Sequence, residues 1–119
     1  MAGKPVHVEI PMSDAAKGRE FWGSLFGWQF EEYEGSGYHM TRTSDDTGAA
    51  VYTPDDGAKG LRVYFDVDDI SDGASRVREL GGESGEKMPV PSMGWFVHCT
   101  DPSGNEFGLW QTDPSASME

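Results

Sequence analysis

The sequence predicts an α+β fold that contains two β-α-β-β-β modules with curved mixed sheets. Three observations lead to this prediction. An aromatic hairpin spans residues 95–111 around the turn Asp101-Pro102-Ser103-Gly104, in which Pro102 presets φ and Gly104 tolerates a positive φ. A weaker copy of that turn lies at residues 45–48. The two glycines that end the predicted helices, Gly27 and Gly82, are 55 residues apart. A repeat of this length is one supersecondary unit that cannot bury its sheet face alone.

Length and composition favour one soluble, cytoplasmic domain. The chain has 119 residues and a formal charge of −12, which disfavours nucleic acid as a partner because phosphate binding needs a basic face. The favoured explanation of this negative charge is solubility. The charge would also attract cationic small molecules. The single cysteine fits a reducing compartment. The sequence has neither an apolar leader-like region nor a run of membrane-spanning length, so no membrane partner is expected.

The first module is predicted over residues 5–53. Residues 5–12 alternate between apolar and polar side chains, as expected for a strand with one apolar face. Ser13 or Asp14 caps a helix that runs to about Leu25 and ends at Gly27. Helical spacing predicts an inward stripe of Ala15, Gly18, Trp22, Leu25 and Phe26. Three further strands are predicted at residues 28–33, 38–43 and 49–53.

The second module is predicted over residues 61–111, after a linker at residues 54–60. It repeats the order of the first module. Its elements are a strand at residues 61–67 with Leu61 on the apolar face, a helix at 71–80 with Ala74, Val77 and Leu80 inward, a short edge strand at 88–90, and the aromatic hairpin. The polar tail, residues 112–119, is expected to fray.

Several segments, in this order, resemble the vicinal oxygen chelate superfamily, which includes glyoxalase I, bleomycin-resistance proteins and extradiol dioxygenases. The segments that carry the resemblance are His7-Val8-Glu9-Ile10-Pro11, Phe21-Trp22, Leu25-Phe26-Gly27-Trp28, Asp101-Pro102-Ser103-Gly104-Asn105 and Phe107-Gly108-Leu109-Trp110. The resemblance implies paired modules whose sheets curve around a central ligand cavity, the glyoxalase/bleomycin-resistance fold. It also implies a homodimer.

Metal-dependent members of this superfamily hold a divalent ion with His or Glu from the first and last strands of each module. The resemblance places those positions at His7, Tyr52, Arg62 and Gly108. Only the imidazole is a common ligand type, and catalytic sites need about three protein ligands. We therefore expect no metal and no other cofactor. A register slip of two residues would instead bring Glu9 or Glu106 toward the site.

Strand parity sorts the remaining candidates onto the sheet face away from the helices. The candidate catalytic residues are His7, Glu9 and Arg62. The candidate ligand-binding residues are Tyr52, Tyr64, Asp66, Phe96, His98, Glu106 and Trp110. Structural alternatives stay open: the histidines could be hydrogen-bonded strand residues, the aromatic residues could be packing, and the guanidinium could neutralise Glu9 or Asp66. Cys99 is expected to be buried on the helix side and inert, and His39 belongs to no cluster.

Two functions fit these residues. The first is a metal-independent small-molecule-binding protein of the glyoxalase/bleomycin-resistance type, which binds an aromatic or cationic compound in a cleft between the modules. The alternative is a lyase or isomerase in which His7 or Glu9 removes a proton next to a carbonyl and Arg62 stabilises the resulting oxyanion.

Overall fold

The computed structural model describes residues 3–54 and 60–117, which form two compact units. The first unit is His7–Arg62, and the second joins the start of the chain, up to Val6, to the part from Val63 onward. The elements in chain order are β1 (Pro5–Pro11), α1 (Ala15–Phe26), β2 (Glu31–Glu32), β3 (His39–Arg42), β4 (Gly48–Tyr52), β5 (Arg62–Asp66), α2 (Ile70–Glu79), β6 (Glu83–Ser84), β7 (Met88–Val90), β8 (Gly94–Thr100) and β9 (Glu106–Thr112). Of the predicted linker, residues 55–59 lie outside the described residues.

In the first unit the strand order is β2-β3-β4-β1, with β1 parallel to β4 and the other neighbours antiparallel. The helix α1 begins as predicted, because Asp14 Oδ1 accepts the backbone N–H groups of Ala16 and Lys17 at 3.0 and 3.3 Å. It ends at Gly27, whose φ of 75° is the left-handed conformation that glycine adopts without strain.

The core of the first unit contains Ile10, Phe30 and Val51, with Val8, Met12, Trp22 and Trp28 packed against them. The prediction that Leu25 and Phe26 belong to the inward stripe is wrong, because these side chains are 57% and 55% exposed. Apolar periodicity predicts which side of the helix faces the core. It does not predict how far the surface beneath the helix extends toward its last turn. Phe26 instead lies beside Trp28, with ring centroids 4.9 Å apart and ring planes tilted by 35°.

In the second unit β5 is parallel to β9, β9 pairs antiparallel with β8, and both β6 and β7 pair with β8. The short strand β6 is not predicted from the sequence. The core contains Ile70, Ala74, Val97, Cys99 and Leu109, so the predicted burial of Cys99 is confirmed. Leu80 was expected to face inward and is exposed, because α2 ends one residue earlier and Leu80 is its C-cap. Leu61, placed by the sequence on the apolar face of its strand, precedes β5 and is exposed.

The turn between β8 and β9 has the predicted chemistry. Asp101 Oδ1 accepts the backbone N–H groups of Ser103 and Asn105, each at 2.9 Å, and Gly104 has a φ of 86°. The expectation of a frayed tail is wrong for its described part. Ala116 is buried, and its carbonyl accepts the N–H of Ser92 at 3.0 Å. Residues 118–119 lie outside the described residues. Across the described ranges, no helix is long and apolar enough to cross a membrane.

Candidate functional site

The polar face of β1 carries a chain of hydrogen bonds that joins four side chains of the first unit. The side chains of Val8 and Ile10 pack in the core, and those of His7 and Glu9 point to the opposite face. Tyr38, just before β3, lies between them. Its oxygen is 2.7 Å from His7 Nε2, and its O–H donates to Glu9 Oε2 at 2.9 Å. The rings of His7 and Tyr38 are nearly parallel, with centroids 6.2 Å apart.

The fourth member of this chain is Arg62, whose Nη1 donates to Glu9 Oε1 at 3.2 Å. The two side chains are 16% and 13% exposed, so the pair is largely withdrawn from water. An ion pair with Glu9 was one of the alternatives that the sequence left open for Arg62, and the structure contains it. The carboxylate therefore receives hydrogen bonds at both of its oxygens, one from a phenol and one from a guanidinium.

Burial determines the charge state of His7. It lowers the pKa of the imidazole below its ordinary value, and the nearby negative charge of Glu9 only partly opposes this effect. The neutral ring is thus the favoured form at pH 7. A neutral imidazole has one donor and one acceptor nitrogen, and either can take part in proton transfer or ligand recognition.

Tyr38 is not among the site residues predicted from the sequence. The residue that follows it, His39, is a strand residue of β3 that lies opposite Val51 in the β3–β4 register, and its Nδ1 is 3.3 Å from Arg19 Nη1 of α1. Alternation then turns Tyr38 to the opposite face, the one that carries His7. The alternation of side chains along β3 would have placed Tyr38 on this face if the register of β3 against β4 had been known. Tyr52 shares this region, with its ring centroid 5.7 Å from that of Tyr38.

In the second unit, Tyr64 and His98 form another phenol–imidazole pair. Tyr64 lies opposite Gly108 on β9, and Gly108 lies opposite His98 on β8, so the three residues form a row across the sheet. The oxygen of Tyr64 is 2.8 Å from His98 Nε2, and the Phe96 ring lies 5.1 Å from the imidazole. Tyr64 is buried, and His98 is exposed. This unit thus presents an imidazole beside two aromatic rings that also contact each other.

The other three sequence candidates, Asp66, Glu106 and Trp110, lie elsewhere in the second unit. Asp66 Oδ1 accepts the backbone N–H of Lys4 at 3.0 Å and so fastens the start of the chain to β5. Trp110 donates its indole N–H to Thr112 Oγ1 at 3.0 Å. Glu106 is exposed at the beginning of β9. Their role in ligand binding, predicted from the sequence, stays a prediction.

Residues 7–110 match the family model of a glyoxalase-like domain. The chain belongs to this family. CFP32 of Mycobacterium bovis, provisionally named a glyoxylase, is 29% identical over 123 aligned residues, which cover 93% of this chain and 46% of that protein. This glyoxalase-like domain therefore spans about half the length of that curated relative.

Solved structures show the same fold. Methylmalonyl-CoA epimerase from Mycobacterium tuberculosis has a TM-score of 0.67 at 15% identity, covering 93% of this chain and 89% of that chain. Homoprotocatechuate 2,3-dioxygenase from Brevibacterium fuscum has a TM-score of 0.74 at 18% identity, covering 98% of this chain and 38% of that chain. The predicted resemblance to the vicinal oxygen chelate superfamily and the predicted α+β fold class are confirmed. At these identities the likeness concerns the fold alone.

The four positions at which the resemblance to the vicinal oxygen chelate superfamily leads us to expect metal ligands do not suit a metal ion here. His7 is the only common ligand, Arg62 carries a positive charge that is paired with Glu9, and Tyr52 is a phenol. At Gly108 an added Cβ would lie 2.2 Å from Tyr64 Cδ2, so the ring occupies the space that a ligand side chain would need. Among the described residues, no cluster of three or more His, Cys, Asp or Glu side chains could hold a metal ion. The donor set does not fit a divalent cation, and we derive no step through one.

Proposed function

We propose that this glyoxalase-like domain is a metal-independent small-molecule-binding protein of the bleomycin-resistance type that binds an aromatic or cationic compound. The observation that carries the proposal is the hydrogen-bonded chain His7–Tyr38–Glu9–Arg62 on the polar face of β1. Two of its members, His7 and Arg62, are at positions where the resemblance implies metal ligands in metal-dependent relatives. Polar side chains held in fixed positions give a binding site its orientation and specificity.

Aromatic side chains and net charge support the ligand class. Tyr52 lies beside the chain in the first unit, and Phe96 flanks the imidazole in the second. Such rings stack on planar ligands and attract cations to their faces. The formal charge of −12 raises the local concentration of cationic compounds near the protein.

The test compares two rigid, fluorescent three-ring aromatics of opposite charge. Protein treated with a chelator is titrated with proflavine, a cation, and with 9-anthracenecarboxylate, an anion. We expect the cation to bind at least about tenfold more tightly, and Tyr52→Ala to weaken it by a similar factor. Phe21→Ala, at an exposed ring on α1, is the matched aromatic control and should leave the Kd unchanged. Absence of binding, equal loss in both variants, or binding that appears only with added metal would overturn the proposal.

The second candidate function is a lyase or isomerase, and it is favoured by the half-buried, neutral imidazole of His7 near a carboxylate. In an isomerisation, His7 or Glu9 accepts the proton on a carbon next to a carbonyl, and the electron pair of the broken C–H bond forms an enolate. Arg62 stabilises the enolate oxygen, and return of the proton to the other face inverts the carbon with no net change in composition. A lyase would share only the first step.

Deuterium exchange separates the two candidates. Chelator-treated protein is incubated in D₂O with a branched acyl thioester or an α-branched keto acid, and loss of the α-proton signal is followed by NMR. Exchange that disappears in His7→Gln and persists in His39→Gln would establish acid–base chemistry at His7. No exchange above the protein-free rate for any such compound would eliminate this candidate.

We also propose a homodimer in the cytoplasm. The resemblance implies pairing, and the buried thiol of Cys99, whose pKa burial raises, suits a reducing compartment. Light scattering coupled to size-exclusion chromatography gives the mass directly. A monomer mass measured at a protein concentration of about 100 μM would contradict the proposed homodimer.

A further inference from the structure

The hydrogen bonds around Tyr38 have a fixed direction. A phenol has one hydrogen, and the carboxylate of Glu9, paired with Arg62, can only accept. The hydrogen of Tyr38 therefore lies toward Glu9 Oε2, 2.9 Å away. The phenol oxygen is also 2.7 Å from His7 Nε2, so the hydrogen of that contact must come from the imidazole. Two donors, Tyr38 and Arg62, thus converge on one carboxylate, and His7 donates to the phenol.

We propose that Tyr38 is a positioning residue that holds His7 as the Nε2–H tautomer, so that Nδ1 is the accepting nitrogen of the ring. The opposite tautomer would need the phenol hydrogen at Nε2. The phenol oxygen and Glu9 Oε2 would then face each other at 2.9 Å with no hydrogen between them. Two acceptors at that distance repel each other, and the largely buried position of the carboxylate provides little solvent to relieve the repulsion.

Gly48 is one neighbour of Nδ1. Gly48 lies opposite His7 in the β1–β4 register, and a Cβ added there would be 3.5 Å from Nδ1 and 3.1 Å from the carbonyl oxygen of Thr41. A residue without a side chain therefore borders the accepting nitrogen. Any group that meets Nδ1, whether it belongs to the protein or to a ligand, meets an acceptor and has to donate a hydrogen.

This inference rests on the proposed function for one consequence, which is the class of ligand. A ligand that meets His7 through Nδ1 carries a hydrogen-bond donor, such as an ammonium, an amidinium, a ring N–H or a hydroxyl. Carboxylates and phosphates, which present only acceptors, are disfavoured at this nitrogen. The donor requirement agrees with the negative charge of the chain, because the strongest donors are cations.

The tautomer is measured by long-range ¹H–¹⁵N NMR of the labelled protein at pH 7.5, independently of any ligand. The chain has three histidines, and His39→Gln and His98→Gln assign the remaining signals to His7. We expect a protonated Nε2 and an unprotonated Nδ1. Tyr38→Phe should convert this pattern to a mixture of tautomers. Tyr33→Phe is the matched control, because Tyr33 is not one of the four hydrogen-bonded side chains, and it should leave the pattern unchanged. A His7 protonated at Nδ1, or at both nitrogens, would overturn the proposal.

Glu9→Gln provides a sharper test that does not require removal of the phenol. Arg62 still donates to the carboxamide oxygen, so the amide nitrogen takes the place of Oε2 and donates to Tyr38. The phenol hydrogen then turns to His7 Nε2, and the imidazole hydrogen moves to Nδ1. We therefore expect this isosteric variant to reverse the tautomer. An unchanged tautomer in a folded Glu9→Gln protein would contradict the role of Tyr38.

The ligand consequence is tested with benzylammonium and benzyltrimethylammonium, which share a ring and a charge and differ in the donor. We expect the donor-bearing cation to shift the His7 signals and to bind at least about fivefold more tightly. Equal binding of both cations would overturn the donor requirement. If neither binds, the failure counts against the proposed function, and the tautomer measurement stands by itself.

Discussion

Arg62 and Glu9 lie 53 positions apart in the sequence and are joined by an ion pair of 3.2 Å that is largely shielded from water. Removing one partner of such a pair leaves an uncompensated charge in a poorly solvated place, which costs more than removing both. The pair also orients the carboxylate that accepts the hydrogen of Tyr38. Its loss should therefore affect both the stability of the first unit and the geometry of the proposed site.

Arg62→Met tests the energetic part of this argument. The variant retains the aliphatic volume of the side chain and removes its charge, so Glu9 remains without its cation. We expect the free energy of unfolding to fall by about 3 kcal/mol in urea denaturation. The double variant Arg62→Met/Glu9→Gln should recover at least half of that loss. A single variant as stable as the parent protein would show that the pair is energetically neutral.

The contact between Gly108 and Tyr64 predicts a second effect. A methyl group at position 108 would lie 2.2 Å from the tyrosine ring, and the ring is buried and hydrogen-bonded to His98. Gly108→Ala should therefore lower the unfolding free energy by about 1–3 kcal/mol, as expected for overpacking. In a Tyr64→Ala background the same change should cost much less. Additive effects of the two substitutions would refute the steric explanation.

The pH dependence of stability should carry a contribution from His7. Burial lowers the pKa of the folded imidazole below the value of 6.5 expected for the unfolded chain. The unfolded state consequently binds more protons between the folded and unfolded pKa values, and stability is lost as the pH falls below about 6.5. Compared with His7→Gln, the parent protein should lose up to about 1.4 kcal/mol per pH unit on acidification. A constant stability difference between pH 7.5 and 5.5 would contradict this sign.

Cys99 should react slowly with thiol reagents. Its side chain is buried in the core of the second unit, and burial raises the pKa of the thiol, so the reactive thiolate is scarce and inaccessible. We expect the reaction with Ellman's reagent at pH 8 to be at least about a hundredfold slower than in concentrated urea. Rapid modification of the native protein would mean that this part of the core opens readily.

Several features of the molecule followed from local patterns. The Asp14 cap, the glycine at the end of α1 and the Asp101–Gly104 turn were all predicted, because each depends on a few adjacent residues. Alternation in β8 and β9 also assigned the two faces correctly, since Val97 and Leu109 lie in the core and His98 lies opposite Gly108.

Errors arose where a pattern ended at an element boundary. Leu25 and Leu80 continue the apolar periodicity of their helices, yet both are exposed, because periodicity says nothing about where the partner surface stops. The tail was expected to fray on grounds of polarity. A few backbone hydrogen bonds and the burial of Ala116 hold its described part in place.

The sequence by itself determined both helices, most of the strands and the sheet face on which His7 and Glu9 lie, because these depend on short-range periodicity. The tertiary structure decided that Tyr38 joins those two side chains, from 31 and 29 positions away. That contact depends on the register of β3 against β4 and on the path of the preceding turn. Register is set by the packing of whole strands, so it cannot be predicted from the residues near Tyr38 in the sequence.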